Sequence, residues 1–127
     1  MNQLETLPLG KTDVRVTPLG LGAWQWGDRF MWQYGQGYND QDVRAAFKTS
    51  LDAGINWVDT AEMYGPGTSE RLLGQFSREL KVQPLVATKF APLPWRVRQD
   101  SLVGALQRSL NRLNLPKVDL YQIHFPI

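Results

Sequence analysis

Leu85-Val86-Ala87-Thr88-Lys89-Phe90 is a short apolar run that closes on a lysine. A run of this length with no 3.6-residue period reads as a buried strand. Thirty residues before Lys89, Asp59 closes Ile55-Asn56-Trp57-Val58-Asp59, and 35 residues after it His124 stands near the end of Val118-Asp119-Leu120-Tyr121-Gln122-Ile123-His124-Phe125. Each interval holds one helical pattern, and a strand, a helix and a return strand in about 30 residues is the size of a βαβ unit. Successive apolar strands joined by helices imply a parallel sheet with covered faces. A doubly wound sheet and a barrel both fit this pattern.

Working outward, Val43, Ala46, Phe47, Ser50 and Leu51 repeat at helical spacing, with Asp40 as the expected cap and Gly54 as the stop. The first helix is therefore expected over about 40–53. Thr68 or Ser69 should cap a second helix, with Glu70 in its first turn and Leu72, Leu73 and Phe76 on its apolar face. A third is expected over about 100–113, with Leu102, Leu106, Leu110 and Leu113 on one side and Val103 flanking. Leu19-Gly20-Leu21-Gly22-Ala23-Trp24 reads as a buried strand whose glycines let another backbone or a ligand come close. Ahead of it, residues 4–17 read as a hairpin turning at Gly10-Lys11-Thr12-Asp13. Residues 25–40 form a loop long enough to suggest function.

Composition excludes several classes. The 127 residues are 43% hydrophobic and 20% charged, which is ordinary for a globular protein. A net charge of +2 is too weak to argue for nucleic acid or an anionic membrane. No apolar run approaches the ~20 residues of a membrane span. No secretory signal stands at the start, so the expected location is cytoplasmic. Without cysteine, and with a single histidine, neither a disulfide scaffold nor a thiolate or histidine-based zinc site can form, and no metal is expected. Gly10-Lys11-Thr12 lacks the earlier glycine of a phosphate loop, because position 5 is Glu. Gly20, Gly22 and Gly27 are spaced wrongly for a dinucleotide fingerprint and open a loop instead of a helix.

Three strands end in an ionisable group, and the C-terminal strand edge is where α/β sheets and barrels build their sites. Asp59, Lys89 and His124 stand at those ends, and Tyr64 follows Asp59 in a loop. Period-two alternation puts Ile55, Trp57 and Asp59 on one face, as it does Leu85, Ala87 and Lys89, and Leu120, Gln122 and His124. If those faces point inward, the three groups converge. Taken singly, each has a plainer role: a structural histidine, a solvated lysine, a turn-capping aspartate, a packed loop tyrosine. All four at one edge together point to a site.

Trp57-Val58-Asp59-Thr60-Ala61-Glu62-Met63-Tyr64-Gly65, followed by Ser69-Glu70 and Leu73-Gly74, closely resembles the first signature of the aldo-keto reductases. Thr88-Lys89-Phe90 and Asp119-Leu120-Tyr121-Gln122-Ile123-His124 resemble that family's next two catalytic strands, in the same order. The resemblance covers essentially the whole chain, and the 61–70 loop looks more like bacterial and plant members. It implies a (β/α)8 barrel, with the N-terminal hairpin (1–17) plugging its bottom. It also implies NADPH-dependent reduction of an aldehyde or ketone, a small-molecule carbonyl substrate. Tyr64 would be the general acid, Lys89 the cation that favours its phenolate, Asp59 the partner of Lys89, and His124 the group that orients the carbonyl. Gly22, Ala23 and Trp24, with Asp59, would lie against the cofactor. Trp24, Trp26, Trp32 and Trp95 could line an apolar pocket, with core packing the plainer role for half of them.

Such a barrel needs about 250 residues. Strands one to four and three helices, over 19–127, make roughly the N-terminal half, so the chain reads as truncated. The family's remaining cofactor contacts would lie in the other half. The expected partner is a second copy or a separate C-terminal half-barrel chain closing the open strand edges. The rival expectations are a non-enzymatic interaction module and an inactive fragment of the same fold.

Overall fold

A computed structural model describes residues 4–126. Its elements run β1 (Leu7–Pro8), β2 (Arg15–Val16), β3 (Leu21–Gly22), α1 (Asp40–Asp52), β4 (Trp57–Asp59), α2 (Thr68–Leu80), β5 (Leu85–Phe90), α3 (Gln99–Leu113) and β6 (Leu120–Ile123). β3, β4, β5 and β6 lie side by side in that order, all parallel. In register, Gly22 stands beside Asp59, Asp59 beside Ala87, and Lys89 beside Gln122. Strand ends from four separate segments therefore meet at one edge. The β5 bounds agree with the sequence reading, while β3, β4 and β6 are shorter than expected.

Among the described residues, only one face of the sheet is covered by helices. Val58, Val86, Thr88 and Phe90 point to that face and are buried. Leu72, Leu73 and Phe76 from α2, Val43 and Phe47 from α1, and Leu113 from α3 fill it. Trp26 reaches in from the long loop and meets Phe47 and Phe76 edge-on, with ring centroids 5.8 and 6.1 Å apart. The opposite face carries the partly exposed Asp59, the largely buried Lys89 and the exposed Gln122. The expectation of two covered faces is thus corrected. β1 and β2 pair antiparallel, and Leu9, Val14 and Val16 bound a cavity of about 60 Å³ against Trp57, Leu85, Ala87 and Leu120. The hairpin so caps the N-terminal end of the inner face. Its strands are only two residues each, and the first three residues of the expected 1–17 span lie outside those described.

Three local expectations change. Asn39, not Asp40, caps α1: its side chain accepts from the amides of Gln41 and Asp42, and Asp42 accepts from the Asn39 amide. Neither Thr68 nor Ser69 caps α2. Gly67 takes the cap position in a left-handed conformation and, having no side chain, makes no capping bond; Thr68 and Ser69 are already helical, and the Ser69 hydroxyl donates to the Ala23 carbonyl oxygen. α3 buries Ala105, Ser109 and Leu113, whereas Leu102, Leu106 and Leu110 are half-buried and Val103 is exposed. Small residues win there because the two helices come close: a Cβ on Gly74 of α2 would sit 2.6 Å from the Leu113 carbonyl oxygen. Among the described residues, no helix is long and apolar enough to cross a membrane.

Candidate active site

The side chain of Lys89 is the centre of the arrangement. Its Nζ lies 2.8 Å from Asp59 Oδ1, 2.8 Å from the Thr60 carbonyl oxygen and 3.2 Å from the Tyr64 hydroxyl oxygen. An ammonium has three N–H donors and no acceptor. All three are therefore used, and Tyr64 must accept from Lys89. The phenol's own hydrogen is left to point away from the lysine. Nζ also sits 4.8 Å from the Tyr64 ring centroid. The Lys89 side chain is only 14% exposed and that of Asp59 is 35% exposed.

Tyr64 is placed by its loop. Its carbonyl accepts from the Ser69 amide at 3.2 Å, at the start of α2. Gly65 and Gly27 bring two loops into touch: a Cβ on Gly65 would fall 2.6 Å from the Gly27 carbonyl oxygen, and Gly65 has φ of +60°. No larger residue fits there without moving the loop that carries Tyr64.

His124 follows β6, and its amide donates to the Phe90 carbonyl oxygen at 2.8 Å. Its ring stands edge-on to Tyr64 at 5.7 Å and stacks on Phe125 at 4.6 Å. Its Nδ1 is buried without a partner. Burial, and then the charge of Lys89, hold its pKa below the usual 6.5, against the opposing pull of Asp59 and Glu62. The imidazole is thus biased towards the neutral form.

The structure brings Asp59, Lys89 and His124 to one edge, and the loop after β4 sets Tyr64 between Lys89 and His124. Gly22 and Trp24 join them. Gly22 is exposed, with open space where a Cβ would stand. Trp24 is 43% exposed and stacks on Tyr64 at 6.2 Å, while Trp32 meets it edge-on at 5.5 Å. Ala23 is fully buried, its amide bonded to the Asp59 carbonyl oxygen and its own carbonyl accepting from Ser69. Its role in the fold is to tie β3 to β4. Of the other tryptophans, Trp26 is in the core and Trp95 is exposed on the loop after β5.

Sequence reasoning missed the groups behind these. Glu62 and Arg96 pair at 2.7 Å, with side chains only 10% and 15% exposed. Glu62 also accepts from the Ala91 amide, so the loops after β4 and β5 are clamped together. Burial works to raise the Glu62 pKa, but the bonds from Arg96 and Ala91 and the charges of Arg96 and Arg112 outweigh it, and the net shift is downward. The fully buried Glu70 accepts from Thr88 Oγ1 and from Arg112, each at 2.8 Å. Thr60, Ser69 and Ala23 form a buried hydroxyl chain. A carboxylate inside an apolar helix stripe, as at Glu70 beside Leu72 and Leu73, was the available signal for one of these.

A family model described as Aldo/keto reductase family matches residues 18–127. Pyridoxal reductase, chloroplastic, from Arabidopsis thaliana is 40% identical over 120 residues, covering 87% of this chain and 33% of the relative. An aldo-keto reductase from Klebsiella pneumoniae in complex with NADPH superposes with a TM-score of 0.76 at 30% identity, over 100% of this chain and 41% of that one. A thermostable aldo-keto reductase in complex with the inhibitor epalrestat gives 0.79 at 31% identity, over 98% and 44%. The chain spans about a third of the length of the curated relatives it matches.

Proposed function

The chain belongs to the aldo/keto reductase family, and we propose that it carries the proton-donating site of an NADPH-dependent reductase of aldehydes or ketones. The observation that carries this reading is the Lys89 ammonium, which is fully used by Asp59, Thr60 and Tyr64. A phenol that accepts from a cation has its hydrogen free for a substrate oxygen. It can also leave a phenolate that the cation stabilises.

The residues present suit the nicotinamide end of NADPH. Gly22 leaves open space beside Asp59 in register, and the exposed Trp24 adds an apolar wall next to Tyr64. Bound there, NADPH would supply the hydride that adds to the carbonyl carbon. Tyr64 would give its proton to the carbonyl oxygen, so that the product is the alcohol, and would regain a proton from solvent. Lys89 would hold the charge left on the Tyr64 oxygen. Asp59 would fix the Lys89 side chain. A neutral His124 protonated on Nε2 would donate to the same carbonyl oxygen and set its direction. Trp24 and Trp32 would exclude water from one side.

The (β/α)8 barrel of the family closes a sheet on itself. Here β3 and β6 are the outer strands of the four-stranded sheet among the described residues. In the acting form those edges would pair with further strands, from a second copy of this chain or from a C-terminal half-barrel. The test is to titrate the purified protein with NADPH while following tryptophan fluorescence, then add benzaldehyde and follow loss of NADPH absorbance. Saturable quenching with turnover supports the reading. A cooperatively folded protein that binds no NADPH and turns over no carbonyl, even after addition of a C-terminal half-barrel chain, rejects it.

A further inference from the structure

We propose that Ser69 and Thr60 form a positioning relay that holds the Lys89–Tyr64 pair and Trp24 in register through buried hydroxyl bonds. This inference rests on the reading above that Tyr64 and Lys89 act on a carbonyl.

Ser69 Oγ lies 2.8 Å from the Ala23 carbonyl oxygen and 2.8 Å from Thr60 Oγ1. A serine hydroxyl has one hydrogen, and a carbonyl can only accept. Ser69 therefore donates to Ala23, and Thr60 donates to Ser69. Ser69, Thr60 and Ala23 are all fully buried, so no water can stand in for either bond. Each partner is joined by one covalent step, or none, to the site. The Thr60 carbonyl is an acceptor of Lys89, Thr60 follows Asp59, Ala23 precedes Trp24, and the Ser69 amide donates to the Tyr64 carbonyl. The first turn of α2 thus touches three separate segments that carry the site. Ser69 lies inside that turn, two residues past the Gly67 cap, and its hydroxyl serves these segments instead of the helix's first amides.

The relay predicts a loss in turnover that exceeds the loss in binding. Displacing a reacting group by a fraction of an ångström is felt in the transition state first. Thr60→Val keeps the shape and removes the donor, and Ser69→Ala removes both bonds. Each should lower kcat by on the order of tenfold, with KM moved less than about twofold. The double variant should lose little more than Ser69→Ala alone, because Ser69→Ala already removes the bond that Thr60→Val breaks. Thr60→Ser restores the hydroxyl and should recover most of kcat.

A readout that needs no turnover is the emission of Trp24, taken as the difference between each protein and its Trp24→Phe counterpart. Ser69→Ala should shift that emission to longer wavelength, because the Ala23 carbonyl is released. Thermal melts control for folding. Thr60→Val and Ser69→Ala with wild-type kcat and unchanged Trp24 emission overturn the relay. So does Thr60→Ser failing as far as Thr60→Val, since packing alone would then be at issue. If the wild-type protein turns over no carbonyl, the functional reading fails by itself. The Trp24 emission of Ser69→Ala then decides the relay.

Discussion

The two faces of the one parallel sheet are built on different physics. Towards the helices, Val58, Val86 and Phe90 are buried against Leu72, Leu73, Phe76 and Phe47, and shape and apolar area hold them. Towards the inside, Asp59, Lys89 and His124 project from the same strands or just beyond them, and the Lys89 ammonium donates to both Asp59 and Tyr64. The outer face is assembled mainly from sequence-local βα units, with Trp26 added from the long loop. The inner face is capped at its start by the hairpin and is otherwise open towards Gln122. Apolar packing is thus concentrated on one side and the candidate site on the other. They communicate through buried polar groups that reach round from α2.

The largest effect that would break this division is at the inner face. Tyr64→Phe should cost about 10²–10⁴-fold in kcat, the usual worth of a positioned proton donor, while the NADPH dissociation constant and the melting temperature stay near wild type. Wild-type-like turnover in that variant would remove the mechanism. Next comes the boundary. Glu70→Ala strips the partly buried Arg112 and the buried Thr88 of their shared partner and should destabilise by about 3–5 kcal/mol in a urea titration. A change below about 1 kcal/mol would show that the pair is solvated in solution.

On the outer face, Leu73→Ala opens a void in the fully packed core. It should cost about 2–5 kcal/mol while the turnover of the folded fraction is kept. A smaller effect comes from His124. Its folded pKa is held below the unfolded value of 6.5 by burial and Lys89, so the neutral ring contributes stability that is full above that value. That contribution is lost as pH falls from there through the depressed folded pKa. The urea midpoint should therefore fall on acidification in this window, and His124→Gln should flatten that part of the curve. The smallest effect is on the solvent side of α1. Breaking the exposed Lys48–Asp52 pair with Lys48→Ala should change stability by no more than about 0.5 kcal/mol, and less at high salt.

Much of this was legible along the chain. Apolar runs and helical periods placed β4, β5, β6 and all three helices within a few residues, because each unit is decided by neighbours close in sequence. Period-two alternation put Asp59 and Lys89 on one face, and the strand ends put His124 and Tyr64 beside them. What was not legible depends on contacts far apart in sequence. Ser69 reads as a helix cap, but the helix begins at Thr68 and the Ser69 hydroxyl donates to Ala23, 46 positions earlier. The Leu102, Leu106 and Leu110 stripe reads as the core side of α3. The close approach of α2 at Gly74 leaves room only for small side chains, and Ala105 and Ser109 are buried instead. Trp24 and Trp26 look alike in sequence, yet one lies beside Tyr64 and the other between two phenylalanines.

By itself the sequence determined the order of strands and helices and which strand ends share one edge of the sheet, and it marked four polar groups there as candidates. These follow from local periodicity and from the direction of parallel strands. Only the tertiary structure decided which acceptors use the three donors of Lys89, which way the Tyr64 hydrogen is free to point, and which buried groups hold them. Hydrogen bonds are satisfied one donor at a time by whatever acceptor packing brings within reach, and a one-dimensional pattern carries no record of that assignment.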